Sequence, residues 1–187
     1  MTKILITGAS GFIGNAFLQR FGGRNEFEIV GVGRRKLNHL PPNTSYLSIA
    51  LSRLDELRFT PDVVINAAGK AGPWGSPDEY WNDNVLTTEQ VISFCNKRGK
   101  PRLLLISSAA VYYRYQHQLN ISEQTAIGPE FVSHYARSKY FAEQRLSLYE
   151  GEKIILRPCA VFGEGDTLIF PPLLKAARNK KLPLLIS

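Results

Sequence analysis

Six short runs rich in Val, Ile and Leu recur along the chain, and amphipathic stretches separate most of them. Lys3–Thr7 (KILIT) is a β-branched run ending at a glycine, which predicts a buried strand. Gly11–Phe21 follows with Phe12, Ile13, Ala16, Phe17 and Arg20 at helical spacing. Phe27–Gly33 (FEIVGVG) predicts a second strand, Ser45–Ile49 a weaker third, and Asp62–Ala68 (DVVINAA), announced by Pro61, a fourth. Pro77–Arg98 predicts one long helix, with Ser76 or Asp78 near its cap and Gly99 after its end. Arg102–Ser107 (RLLLIS) reads as a fifth strand, Ser133–Tyr149 as a helix stopped by Gly151, and Lys153–Arg157 (KIILR) as a sixth strand closed by Pro158. A last helix is expected within Leu168–Asn179, with Pro171 and Pro172 confining its regular part to later residues, and Leu184–Ile186 would open a seventh strand.

Strands without polar alternation are buried on both faces. Strands alternating with helices imply right-handed crossovers and a parallel sheet. The expected architecture is therefore α/β: a doubly wound Rossmann fold with a mostly parallel sheet, helices on both faces, and ligands at the carboxyl ends of the strands. No repeat, linker or low-complexity segment interrupts the pattern.

Composition narrows the classes. The 187 residues are 44% apolar and 21% charged, which excludes a disordered tail, and 15 Gly and 11 Pro exclude a collagen-like chain. The net charge of +7 resides at the two ends: residues 1–60 carry +4, residues 61–170 carry −1, and residues 171–187 carry +4. There is no basic stripe or nucleic-acid motif, so no nucleic-acid partner is expected. The charge instead suggests an anionic ligand near Arg34, Arg35 and Lys36. Cys95 and Cys159, the two cysteines, have no metal-site spacing, so they are expected to be buried or half-buried free thiols in a reducing compartment, and no metal is expected. No apolar run approaches the ~18 residues of a membrane span, and the first residues do not read as a signal peptide. A soluble, cytoplasmic protein without a membrane partner is the expectation.

After the first strand comes Thr7-Gly8-Ala9-Ser10-Gly11-Phe12-Ile13-Gly14, with glycines spaced GxxGxxG. Gly8 suits a tight exit from the strand, Gly11 a close approach of backbone to a pyrophosphate, and Gly14 close packing of helix on strand. The helix N-terminus adds free amides and a positive dipole end. At the end of the second strand, Gly31–Lys36 contains no acid for a ribose 2′-hydroxyl, whereas Arg34 and Arg35 suit a 2′-phosphate. NADP is therefore favoured over NAD.

Tyr135 and Lys139 form YxxxK on a predicted helix, where i and i+4 share a face. A phenol titrates near ~10, too high for a base at neutral pH, and a nearby ammonium would lower that value. Tyr135 could then exchange a proton with an alcohol or a forming alkoxide. Ser107-Ser108 lies at the carboxyl end of the fifth strand, placing a hydroxyl in the ligand crevice to bind the substrate oxygen beside the phenol.

TGASGFIG at 7–14, INAAG at 65–69, PDEYWNDNV at 77–85, SSAAVY at 107–112, YARSKYFAE at 135–143 and LRPCAVFGEGD at 156–166 stand in the order expected of one family. With them the chain resembles the extended short-chain dehydrogenase/reductases, often called NAD-dependent epimerase/dehydratases. The resemblance covers nearly all of 1–187, and the C-terminal motifs look most similar to the 3β-hydroxysteroid dehydrogenase-like branch. It implies one NAD(P)-binding domain over 1–187, with the usual C-terminal substrate lobe lacking from this sequence. It implies Tyr135 as catalytic acid/base, Lys139 as ribose ligand and depressor of the tyrosine pKa, and Ser108, four residues before Tyr112, as the group polarising the substrate oxygen. Gly8, Ser10, Gly11, Phe12, Ile13 and Gly14 would line the pyrophosphate, with Ala67, Ala68 and Gly69 under the cofactor. Arg34, Arg35, Leu51, Asn84 and Pro158 complete the implied cofactor set. Two residues depart from the pattern: Ala50-Leu51 replaces an Asp-Leu whose acid reaches the adenine, and Thr87 replaces a common Gly. The implied activity is hydride transfer between a nicotinamide and a small-molecule substrate alcohol or ketone, with a second copy of the chain, as a homodimer, the one protein partner considered. A nucleotide-sugar epimerase with tightly held NAD and a non-catalytic dinucleotide sensor are the alternatives. Lack of a dehydratase acid/base pair at 108–112 ranks dehydration lower.

Overall fold

The computed structural model describes residues 1–72 and 74–182. Its elements are β1 (Thr2–Thr7), α1 (Phe12–Phe21), β2 (Phe27–Gly33), β3 (Thr44–Ser48), β4 (Val63–Asn66), α2 (Pro77–Tyr80), α3 (Thr87–Lys97), β5 (Arg102–Ile106), α4 (His134–Ser147), β6 (Lys153–Leu156) and α5 (Phe170–Arg178). The six strands form one sheet in the order β3-β2-β1-β4-β5-β6, every neighbouring pair parallel. The anticipated strand at Leu184–Ile186 lies outside the described residues.

Alternate residues of each strand supply two apolar layers. Leu5, Val30, Val32, Val64, Leu103 and Leu105 face Val91 and Phe94 of α3 and Ala142 and Leu146 of α4. Ile4, Ile6, Ile29 and Ile65 face the other way, onto Leu18 and Phe17 of α1. Burial on both faces explains the absence of polar alternation. The two edge strands are the exceptions: β3 has no buried residue and exposes Ser45 and Ser48, β6 exposes Ile154 and Leu156, and no residue of α5 is buried.

Two expected helices are differently built. The single helix expected from Pro77 begins at a capping box: Ser76 Oγ accepts the Glu79 N–H at 3.2 Å and Glu79 Oε2 accepts the Ser76 N–H at 2.7 Å. It then widens into a π-helical turn over Trp81–Leu86 before continuing as α3. The hydroxyls of Thr87 and Thr88 donate to the Asp83 and Asn84 carbonyls at 2.6 and 2.8 Å, which gives those carbonyls of the loosened turn donor partners. In α5 the prolines do not delay the helix. Pro171 and Pro172 occupy its first turn, where amides have no intrahelical partner. Asp166 carboxylate oxygens take the amides of Leu168, Ile169 and Phe170 at 2.7–3.1 Å ahead of them. Short 3₁₀ turns at Leu51–Glu56 and Ala109–Tyr112 were not anticipated.

Both cysteines are free, but only Cys95 is buried, where desolvation pushes its thiol up to about 12. Cys159 is exposed, against expectation, because β6 and the segment after it lack a covering layer. Among the described residues, no helix is long and apolar enough to cross a membrane, and no cluster of His, Cys, Asp or Glu suits a metal ion.

Candidate active site

Parallel pairing brings Thr7, Gly33, Asn66, Ile106 and Leu156 to one edge of the sheet, so the segments leaving these strands form one rim. The chain order reverses between β1 and β4, which opens a crevice there.

The turn after β1 passes so close to the segment after β4 that only glycine fits. Gly8 has φ +65°, and a Cβ there would lie 2.5 Å from the Ala67 carbonyl oxygen. A Cβ on Gly14 would lie 2.3 Å from the Gly8 carbonyl oxygen. Gly11 is the N-cap of α1, without a side-chain cap or an acid in the first turn. The first intrahelical bond, from Asn15 N–H to Gly11 O, measures 2.9 Å, so the amides of Phe12, Ile13 and Gly14 precede it and keep their donors. A glycine cradle, free amides and a positive helix end match the needs of a pyrophosphate. Gly8→Ala should lower stability by upwards of about 2 kcal/mol, combining left-handed strain with a backbone clash. Its denaturant midpoint tests this, and an unchanged midpoint would show that the turn relaxes.

Beside this turn, Arg35 donates to the Ser10 carbonyl, and its own carbonyl accepts from the Tyr46 hydroxyl. Arg34 is exposed and pairs with Asp83 at 3.2 Å. The expected arginine pair therefore adjoins the glycine turn, but Arg34 faces a carboxylate supplied by the π-helical turn. Leu51, expected in the cofactor set, is half-buried and packs on the core.

Ala67, Ala68 and Gly69 follow β4. Thr7 Oγ1 donates to Asn66 Oδ1 at 2.7 Å, and Asn66 Nδ2 donates to Thr88 at 3.1 Å, tying β1, β4 and α3 together beneath them. Asn84 is buried and its amide is fully engaged: it accepts the Lys70 N–H at 2.7 Å and donates to Lys70 O at 3.2 Å and Ser138 Oγ at 2.8 Å. It joins the loop after β4 to α4.

Ser133 caps α4 by accepting the Ala136 N–H at 3.1 Å, which starts the helix one residue before Tyr135. Ser108 caps the 3₁₀ turn after β5, its Oγ accepting the Ala110 N–H at 3.1 Å. Pro158 lies alongside, its carbonyl accepting the Ala109 N–H at 2.9 Å. Tyr135 reaches Ser108, and Lys139 Nζ stands 5.9 Å from the Tyr135 ring centroid. Burial pushes the Tyr135 phenol above its ordinary value; the hydrogen bond with Ser108 lowers it and nearby Tyr80 raises it. The expectation that Lys139 depresses the phenol is not met in this arrangement. Lys139 is itself buried, and desolvation brings it down to about 8 despite the opposing pull of Glu143. Its ammonium donates to the Ile106 carbonyl at 2.9 Å.

Two further residues were missed. Glu143 is buried one turn beyond Lys139 and binds Arg157 through two bonds, Nε to Oε1 at 2.9 Å and Nη2 to Oε2 at 2.8 Å. Glu143 lies four residues beyond Lys139, on the face already occupied by Tyr135 and Lys139, and that spacing was the available signal.

A cleft of about 870 Å³ opens beside Tyr135. Tyr80, Phe131, Tyr140 and Phe141 give it aromatic walls, Arg137 and His134 are its charged or titratable members besides the tyrosines, and among the described residues no carboxylate lines it.

A family model described as "NAD dependent epimerase/dehydratase family" matches residues 4–187. The chain is similar to the 2-alkyl-3-oxoalkanoate reductase of Stenotrophomonas maltophilia, with 30% identity over 97% of this chain and 58% of that protein. It is 27% identical to the human decarboxylating sterol-4-alpha-carboxylate 3-dehydrogenase over 98% of this chain and 51% of that one. Among solved structures, the UDP-glucuronic acid 4-epimerase from Bacillus cereus, in complex with NAD, superposes with a TM-score of 0.80 at 25% identity, covering 96% of this chain and 64% of that one. The chain thus spans little more than half the length of these curated relatives.

Proposed function

The chain belongs to the NAD dependent epimerase/dehydratase family, and from that premise we propose that it serves an oxidoreductase interconverting a secondary alcohol and its ketone. The observation that carries this reading is the meeting of Ser108, Tyr135 and Lys139 at the strand ends, beside a turn fit for a dinucleotide. The bound nicotinamide would supply or accept the hydride. Gly8, Gly11 and the amides of Phe12, Ile13 and Gly14 would hold the pyrophosphate, and Lys139 the ribose hydroxyls. Ser108 Oγ would hydrogen-bond the substrate oxygen and align it with Tyr135. The phenol, kept protonated by burial, would donate to an oxyanion developing during reduction and recover the proton in the reverse direction.

The proposed substrate is an apolar 3-oxo or 3-hydroxy acid. The names of two relatives each place a carboxylate on the carbon next to the one that is reduced or oxidised. The aromatic cleft with Arg137 and no carboxylate suits such an amphiphilic anion. Consumption of reduced cofactor with a panel of alkyl-substituted 3-oxo acids tests the reading, with UDP-sugars as the second arm. Turnover of UDP-sugars alone, with dinucleotide retained through purification, would favour the epimerase reading, which rests on likeness to the NAD-bound 4-epimerase.

For the cofactor, the lack of an acid at 31–36 and the two arginines support NADP, although the similar 4-epimerase holds NAD. Arg34→Ala should weaken NADP binding about tenfold, the worth of one charge-assisted hydrogen bond, and leave NAD binding unchanged. Titration of both dinucleotides measures it, and equal affinities in the unmodified protein would remove the preference.

A further inference from the structure

The site's reacting side chains come from two separate elements, α4 and the end of β5, and one buried polar network joins them. Glu143 stands on α4 one turn beyond Lys139. Its carboxylate accepts from the Ser107 hydroxyl, next to Ser108, and takes both bonds from Arg157, next to Pro158. Arg157 also donates to the Tyr112 hydroxyl at the end of the 3₁₀ turn that Ser108 caps. Thus a single carboxylate ties together α4, β5, β6 and the Ser108 turn. The pair is well enclosed, with Glu143 side-chain exposure of 4% and Arg157 of 19%.

We infer that Glu143 and Arg157 are positioning residues: their paired charges clamp the helix carrying Tyr135 and Lys139 against the strand ends carrying Ser108 and Pro158, and Glu143 presents its charge to Lys139. This inference rests on the functional reading above for the roles of Tyr135, Lys139 and Ser108. Its geometry does not. A bidentate guanidinium–carboxylate pair is directional in a way that a lysine is not, so it sets orientation as well as distance. A purely structural ion pair could lie anywhere in the core. This one adjoins three of the implied site positions at once.

The surroundings of Lys139 define the electrostatic part. On its own helix it faces Tyr135 and Glu143. From β6, Arg157 approaches through Glu143. From β5 come the Ile106 carbonyl and the neutral Ser107, and from the π-helical turn the neutral Asn84, both Asn84 and Lys139 closing on Gly69. Glu143 is therefore the acid that counters desolvation of the lysine.

The test uses lysine labelled with ¹³C and ¹⁵N, the Lys139 signal being identified by its loss in Lys139→Met. In Glu143→Gln, the Lys139 titration should move down by roughly one unit, as expected on losing an opposite charge nearby. An unmoved titration overturns the electrostatic part. Should Glu143→Gln not fold, Glu143→Asp is titrated instead; the shorter carboxylate should produce a smaller displacement in the same direction, and none would count against the inference. For the clamp, Arg157→Lys keeps a cation but loses the two-point grip. It should lower kcat at least tenfold with little change in KM for the dinucleotide, and an unchanged kcat overturns the positioning role. Failure of the functional reading is distinguishable: Tyr135→Phe would then retain hydride transfer, while the Lys139 titration would still report on Glu143.

Discussion

Tyr135→Phe is expected to reduce hydride transfer by roughly 10²–10⁴-fold, the range contributed by a positioned acid or base. The ring remains, so its contact with Tyr80, at 6.2 Å between centroids, and the packing of α4 are retained. Dinucleotide affinity should therefore be unchanged while turnover collapses. The phenol would be the proton source, in a crevice where burial raises its titration above the ordinary phenol value. Losing it leaves Ser108 with a substrate oxygen that develops charge and receives no proton. Parallel measurement of dinucleotide binding by fluorescence and of turnover by nicotinamide absorbance checks the separation. Full turnover in the variant would remove Tyr135 from the chemistry.

Lys139→Met should have the opposite balance of effects, losing activity and gaining stability. The unfolded lysine keeps its proton to about 10.4, while the folded one releases it near 8 because it is desolvated. Between these values the unfolded state binds more protons, so this group makes stability rise with pH from about 8 upward. Below pH 8 the difference is a constant penalty of about 3 kcal/mol; the variant is relieved of it, less what the lost bond to Ile106 contributed. A methionine of similar length fills the space without the charge, and Glu143 retains Arg157. The variant should be at least as stable as the parent at pH 7, and its stability should no longer climb between pH 8 and 10. Denaturant unfolding across that range measures the slope. The same titration bears on activity, since the ammonium that would hold the ribose fades as pH passes about 8.

Much of this arrangement was legible in the sequence because periodicity and punctuation reflect local physics. Five of the six strands declared themselves through largely apolar runs and β3 (TSYLS) more weakly, and the glycine turn through its spacing. Tyr135 and Lys139 were singled out from types and intervals, and Ser108, rather than Ser107, from the family resemblance. What escaped has a common cause: it depends on contacts between distant segments. Arg157 looked like the last residue of a strand, and nothing in KIILR indicates that its partner is Glu143 on a preceding helix. Arg34 invited a phosphate partner because the Asp83 beside it comes from 49 positions away. Tyr135 was expected to be lowered by Lys139, since spacing on a helix reveals proximity but not how much water burial removes. Cys159 was expected to be buried or half-buried as an ordinary free thiol, yet it follows β6, which forms the sheet edge, and is exposed.

The π-helical turn bears on how this molecule can vary. An α-helix advances about 100° per residue, so removing one residue from 81–86 would restore regular bonding only by rotating everything before it against everything after it. Asn84 must face Lys70 and Ser138 while Val91 and Phe94, in α3, face the sheet. Asn84 and Val91, seven residues apart, share a face, and the π-helical turn sets how the stretch before Trp81, with the Tyr80 ring 6.2 Å from that of Tyr135, is rotated relative to them. In this stretch, then, length carries information beyond any single side chain: exposed positions such as Trp81 and Asn82 can change chemically, whereas a deletion between the Ser76 cap and Thr88 turns the first part of the helix about its axis.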